Sequence, residues 1–129
     1  MILQYNENNI KVIQRSIKKS LDRHHIKYKS ALQNNHKCIQ FVGDDLYIWI
    51  RLTPCINDKY IVDISTIQLP LNKRRQHVFE DMFNRLSKCK YVEKIMITSV
   101  CTIEMKNWCE KHKLYKLDYN NYVNKITSL

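Results

Sequence analysis

Three consecutive basic residues, Lys73, Arg74 and Arg75, stand where the apolar pattern predicts the start of a helix over residues 74–88. Positive side chains at a helix N-terminus oppose the helix dipole, which favours negative charge there. A bound anion would relieve this conflict, because the free N–H groups of a first helical turn bind phosphate. The phosphates of a nucleotide-type cofactor and of a nucleic acid both fit, and a solvated basic turn that binds nothing is the simpler alternative.

A second arrangement that could carry chemistry is Cys109-x-x-His112, a cysteine and a histidine about one helical turn apart. It could be half of a metal site, but no second pair at zinc-like spacing completes it, so we predict no metal centre. Cysteine nucleophilic catalysis would need a partner that stabilises the thiolate, and no such signature accompanies the pair. A buried cysteine beside a surface histidine is the alternative. The chain has five cysteines and no Cys-x-x-Cys pair, which predicts free thiols in a reducing compartment such as the cytoplasm.

A third candidate is a basic helix predicted over residues 7–23, whose apolar stripe is Ile10, Ile13, Ile17 and Leu21. Its basic residues lie mostly off that stripe and could contact a phosphate backbone: Lys11, Arg15, Lys18, Lys19 and Arg23. Residues 1–37 hold eight basic and two acidic side chains, which is a formal +6 of the chain's +10. This surplus predicts an anionic partner, with nucleic acid as the first candidate and a solvated basic face as the alternative.

Composition limits the remaining possibilities. A length of 129 residues predicts a single domain over residues 1–129. Gly43 is the only glycine, which excludes a glycine-rich phosphate loop. The apolar start is too short for a signal peptide and no apolar run reaches 18 residues, so we expect no contact with a membrane.

The elements that must position these residues alternate between strands and helices. Between and beyond the two helices above we expect a short helix at 28–33, strands at 38–42, 46–52, 60–69 and 94–100, a helix with Ile103, Met105, Trp108 and Cys109 facing inward, and a final strand at 115–126 with a bend near residues 120–121. This order predicts a single-domain α/β layer on a mixed β-sheet, with an N-terminal helix, a β-meander and then β-α-β-α-β. Strands 60–69 and 94–100 should be parallel neighbours whose ends diverge near residues 66–69.

This order of elements resembles the GNAT family of N-acetyltransferases, and residues 60–118 can be aligned with it. The strand end Ile67-Gln68-Leu69-Pro70, the turn at 73–78 and the Glu110-Lys111 pair are similar to the family's cofactor turn and last-helix motif. The resemblance implies a divergent acyl-CoA-dependent N-acetyltransferase of the bacteriophage type, acting in the host cytoplasm. The alternative is a non-catalytic basic protein that binds nucleic acid or a host protein on the same scaffold.

The resemblance also implies roles for individual residues. Acetyl-CoA would be held by the turn and by the start of the last helix: Leu69, Lys73, Arg74, Arg75, Gln76, His77, Val78 and Thr102. Cys109 or Tyr115 would protonate the leaving thiolate. Arg75, His77 and Phe79 stand where the family has small residues, and His77 and Phe79 have bulky rings. We therefore expect them to crowd the phosphate and to weaken the binding of acetyl-CoA to ~100 μM or poorer.

Overall fold

The computed structural model of the chain describes residues 4–44, 46–68, 73–98, 100 and 103–125, without the side chains of residues 66 and 73–76. Within these ranges it has three α-helices, α1 (Glu7–Arg23), α2 (Lys73–Lys88) and α3 (Ile103–Lys111). Its strands are β1 (Lys29–Gln33), β2 (Cys38–Gly43), β3 (Leu46–Pro54), β4 (Tyr60–Gln68), β5 (Val92–Ile97), β6 (Tyr115–Asp118) and β7 (Asn121–Val123).

All the strands join one mixed sheet in the order β1-β2-β3-β4-β5-β7-β6. Strands β1 to β4 form an antiparallel meander, β4 and β5 are parallel, and β7 pairs antiparallel with both β5 and β6. The predicted α/β class and mixed sheet are thereby confirmed. The predicted parallel pairing of the strand that begins at Tyr60 with the strand of the mid-90s is confirmed as well.

One face of this sheet forms the core. Along β3, Ile48 and Ile50 are fully buried, whereas the alternate residues Trp49 and Arg51 are partly or fully exposed. The helices cover the buried face, because α1 packs against α2 and α2 contacts Trp108 of α3. No described helix covers the opposite face. None of the helices in the described ranges is long and apolar enough to cross a membrane.

Helix α1 has the predicted bounds, and its sequence explains both its ends. The Asn6 side chain caps it by accepting a hydrogen bond from the N–H of Asn9 at 3.2 Å. Glu7 in the first turn and Arg23 in the last turn complement the helix dipole. Its apolar stripe is buried against the sheet and α2, as the spacing predicts.

Three predictions about secondary structure are wrong. Residues 28–33 form the edge strand β1, because its backbone pairs with β2 from Lys29 opposite Val42 onwards. The final strand is a hairpin, since the Asp118 carboxylate accepts from the N–H of Asn120 and reverses the chain. Ile103 is 73% exposed and does not face inward, so α3 packs through residues further along the helix.

The single glycine is explained by a close contact. A Cβ atom on Gly43 would lie 2.3 Å from the carbonyl oxygen of Lys27, which no side chain would permit without movement of the backbone. The end of β2 is thereby held against the segment that follows α1. Gly43 serves this approach between two backbone segments and has no part in binding a phosphate.

Candidate functional site

The pairing between β4 and β5 ends before β4 does. The two strands pair from Tyr60 opposite Val92 to Ile64 opposite Ile97, and the last bond between them joins the Thr98 N–H to the Ile64 carbonyl at 3.1 Å. Strand β4 then continues to Gln68, and among the described residues only β3 pairs with this last part of it. Beyond Ile64 two parallel neighbours therefore stop pairing at their carboxyl ends, which is where α/β sheets bind ligands.

A β-bulge marks the same place on β4. Trp49 of β3 pairs with Thr66, but the next residue, Ile50, pairs with Ile64. Ser65 therefore has no residue opposite it. A bulge bends its strand and re-aims the side chains beside it, so β4 turns where its contact with β5 ends.

Asp63 is an ionisable group close to the end of this pairing. It lies one residue before the last paired residue of β4, and its Oδ1 accepts a hydrogen bond from Thr98 Oγ1 at 2.8 Å. Burial raises the pKa of the Asp63 carboxyl above its usual value, while the bond from Thr98 and the charge of Arg51 oppose that rise. Arg51 is directly opposite Asp63 on β3. Asp63 is therefore a half-buried carboxylate with a raised affinity for a proton.

Sequence reasoning placed Asp63 on a strand but gave it no role. A signal was present, because Asp63 and Ser65 are polar residues on a strand whose other positions are mainly apolar. The decisive fact is the contact with Thr98, which lies 35 residues away in the chain. That contact depends on the parallel register of β4 and β5, which no local pattern supplies.

The predicted cofactor turn lies at the start of α2. The helix begins at Lys73, five positions after the last residue of β4, and its first turn contains no acidic residue. The backbone of residues 73–76 is helical, and their side chains lie outside the described part of the structure. The predicted contacts of Leu69 and Thr102 also fall outside the described residues.

The structure separates the next three residues of this predicted turn. His77 is exposed, whereas Val78 is 1% exposed and belongs to the core. Phe79 is fully buried and packs edge-on against Trp108, with 4.6 Å between the ring centroids. The prediction that Phe79 crowds the cofactor is wrong, because its ring points into the core between α2 and α3.

The two predicted proton donors, Cys109 and Tyr115, are poorly placed to protonate a leaving thiolate. Cys109 is fully buried, and burial raises the pKa of its thiol to about 12, with a smaller contribution from Glu110. Tyr115 is half exposed on the outermost strand β6, and two strands separate it from β4. At about 4.8 Å per strand, Tyr115 is roughly 14 Å from β4. Both roles stay predictions, and neither position favours them.

A cavity of about 240 Å³ lies between α2 and α3. His112 lies at its wall, stacked on Trp108 with 4.1 Å between the ring centroids and with Nε2 at 3.4 Å from a Glu80 oxygen. Cys109 faces the core instead, so Cys109 and His112 do not act together. No group of three metal-ligating side chains occurs among the residues that the structure describes.

The basic residues predicted to bind nucleic acid share the outward side of α1. Lys11 lies 3.1 Å from Glu7, and Arg23 lies 3.6 Å from Asp81 of α2. Arg15 and Lys19 are exposed and Lys18 is partly exposed. The predicted set is therefore brought together on one helix, but Arg23 is partly neutralised by a neighbouring helix.

No protein-family model matches the chain, and no curated protein shows significant sequence similarity to it.

Proposed function

We propose that the protein is a divergent acyl-CoA-dependent N-acetyltransferase on a GNAT-like scaffold, of the type found in bacteriophages. The observation that carries the proposal is the end of the parallel pairing between β4 and β5 at Ile64 and Ile97, beyond which β4 continues without β5. A half-buried carboxylate lies beside it, and a helix with a basic first turn follows β4 in the chain.

The residues present fit an acyl-CoA ligand at the start of α2. The N–H groups of a first helical turn have no partners within their own helix, and this turn has no acidic residue that would repel a diphosphate. Lys73, Arg74 and Arg75 would add charge to that site. Phe79 offers no obstruction, since its ring is in the core. Leu69, Gln76, His77 and Thr102 remain the other predicted contacts.

Asp63 is suited to accept a proton from the acceptor. Bound acyl-CoA would supply a thioester, and the reaction forms a C–N bond while the C–S bond breaks. A carboxylate whose pKa is raised by burial is a better base than an exposed one. The hydroxyls of Thr98 and Ser65 both hydrogen-bond the carboxylate and hold it in place, and the carboxylate would accept the amine proton.

Cys109 is not needed in this scheme. Its thiol is enclosed by the core and Tyr115 lies two strands away from β4, so a thiolate leaving beside β4 would take its proton from water. The substitution Cys109→Ala should therefore leave turnover within about threefold of the wild type. Loss of turnover in a folded Cys109→Ala protein would restore the cysteine as the acid.

The free thiols support a reducing compartment. Cys38, Cys55, Cys89 and Cys109 are all free cysteines. Disulfides are rare where glutathione and thioredoxin keep thiols reduced. We propose the host cytoplasm as the location of the activity, with a small-molecule or protein amine as the acceptor.

The test combines calorimetry with a transfer assay. Acetyl-CoA should bind one site, and thiol release from acetyl-CoA should occur with some member of a panel of primary amines. Asp63→Asn should keep acetyl-CoA binding but lose about 10²–10⁴-fold in transfer. Asp58→Asn, the same change at an exposed site, should alter neither acetyl-CoA binding nor transfer. No binding at about 1 mM acetyl-CoA would contradict the proposal.

A further inference from the structure

Helix α1 has two faces with different partners. Its apolar residues Ile10, Ile13, Ile17 and Leu21 are each 0% exposed and contribute to the core. Successive residues are about 100° apart around a helix, so Lys11, Arg15, Lys18 and Lys19 fall on the side away from that core. Four positive side chains thus lie along one outward surface, which we call the α1 basic face.

Little negative charge neutralises the α1 basic face. Lys11 pairs with Glu7, but that pair is about half exposed and i,i+4 pairs of this kind are weak. No carboxylate of a described residue lies within ion-pair distance of Arg15, Lys18 or Lys19. The only other acid of the helix, Asp22, accepts a hydrogen bond from the Tyr28 hydroxyl at 2.9 Å.

The burial pattern decides what kind of anion this face can hold. An amphipathic helix that enters a membrane surface needs a free apolar face, and the apolar face of α1 is wholly used by the core. Proteins that bind single strands stack bases on exposed aromatic rings, and no described residue of α1 or β1 is an exposed aromatic. What remains is attraction between surface cations and a regular row of phosphates.

We propose that the α1 basic face binds the phosphate backbone of duplex nucleic acid without reading its sequence. The 17-residue helix is about 25 Å long, and duplex DNA carries one negative charge per about 1.7 Å, so several phosphates lie within reach at once. This surface is formed by α1 alone. Binding at the α1 basic face does not depend on the place where β4 and β5 stop pairing, or on acyltransfer.

The experiment measures anisotropy of a labelled 20-base-pair duplex across a series of salt concentrations. Changing Lys11, Arg15, Lys18 and Lys19 together to Gln should reduce the slope of log affinity against log salt by about three to four units. At about 50 mM salt the affinity should fall at least about 100-fold. Thermal melts establish that the variant is folded.

A matched control removes four positive charges from another part of the surface. Lys88, Lys90, Lys113 and Lys116 are exposed residues of the second half of the chain, and their change to Gln gives the same net charge. We expect this control to keep most of the affinity and the slope. An equal loss in both variants would overturn the assignment to α1, because it would show that only total charge matters.

Further outcomes are decisive as well. Absence of duplex binding by the wild type at about 50 mM salt would overturn the proposal. So would tighter binding to vesicles with anionic lipid, or to an acidic protein, than to the duplex. Acetyl-CoA titrations on the quadruple α1 variant should match the wild type, so failure of this proposal and failure of the acyltransferase proposal are distinguishable.

Discussion

Helices α1 and α2 pack against each other and have 17 and 16 residues, but their first turns are built in opposite ways. In α1 an asparagine cap and an acidic residue satisfy the N-terminus from within the chain. In α2 the first turn has no acidic residue and begins with Lys73, Arg74 and Arg75. The contrast indicates that α1 carries its own cap and acid, whereas the first turn of α2 has no acidic residue and would be stabilised by a bound anion.

The largest loss of stability should come from Phe79→Ala. This change tests whether Phe79 belongs to the core and takes no part in anion binding at the start of α2. Removing a fully buried ring that contacts Trp108 should lower the free energy of unfolding by about 3–5 kcal/mol. Urea denaturation measures this. His77→Ala, at an exposed position of the same helix, is the control and should cost little. A stable Phe79→Ala protein with tighter acetyl-CoA binding would show that Phe79 does obstruct the cofactor.

The next effect concerns the cap of α1. Asn6→Ala removes the side chain that accepts from the Asn9 N–H, and we expect a loss of about 1 kcal/mol in the free energy of unfolding. Asn8→Ala makes the same change at an exposed position inside the helix, where alanine is favourable, and should not destabilise. If both variants melted alike, α1 would not depend on its cap and the contrast with α2 would weaken.

Reversing one charge at the start of α2 should make it resemble α1. Arg75→Glu should stabilise the folded protein by about 0.3–1 kcal/mol at low salt and weaken acetyl-CoA binding, because the new acid takes the place of the anion. Lys88→Glu is the matched change in the last turn of α2, and it should destabilise by a similar amount. Melts with and without added CoA measure both effects. Tighter acetyl-CoA binding by Arg75→Glu would contradict an anion site.

The smallest expected effect is on the pH dependence of Tm, which should differ between Glu7 of α1 and Asp63 of β4. A hydrogen bond from Lys11 lowers the pKa of Glu7, so its stabilising effect is present at neutral pH and is lost as the pH falls. Burial raises the pKa of Asp63 in the folded protein. The ionised carboxylate therefore destabilises the fold once the pH exceeds the pKa that Asp63 has in the unfolded chain. At neutral pH, Asp63→Asn should raise Tm modestly and Glu7→Gln should lower it. Both differences should disappear at low pH, and a Tm of Asp63→Asn below that of the wild type at neutral pH would refute the raised pKa.

The spacing of apolar residues predicted the elements that bury one regular face. The bounds of α1 and the buried side of β3 follow from spacing, because each apolar residue there faces the same core. Residues 28–33 could not be assigned in this way. Leu32 and Tyr28 are four positions apart, as in a helix, and only pairing with β2 makes the segment a strand.

The candidate site was predictable only in part. The basic start of α2 is visible in the sequence, and Phe79 could have been assigned to the core, since it precedes Phe83 by four positions on the same helix face. The role of Asp63 could not be predicted, because its hydrogen-bond partner Thr98 is brought next to it only by the parallel pairing of β4 and β5. The depth of Cys109 also depends on how α3 docks, which the sequence around it does not specify.

The parallel seam between β4 and β5 has a consequence for the order of folding. The β1–β4 meander is made of hairpins that close over short loops, whereas β5 reaches β4 only after the chain has crossed over through α2. Contacts between residues distant in sequence form late, because their loop-closure entropy must be overcome first. We therefore expect pulse-labelled amides of β2 and β3 to become protected before those of β5. The contact between β4 and β5 beside Asp63 would then be added to a meander that already exists.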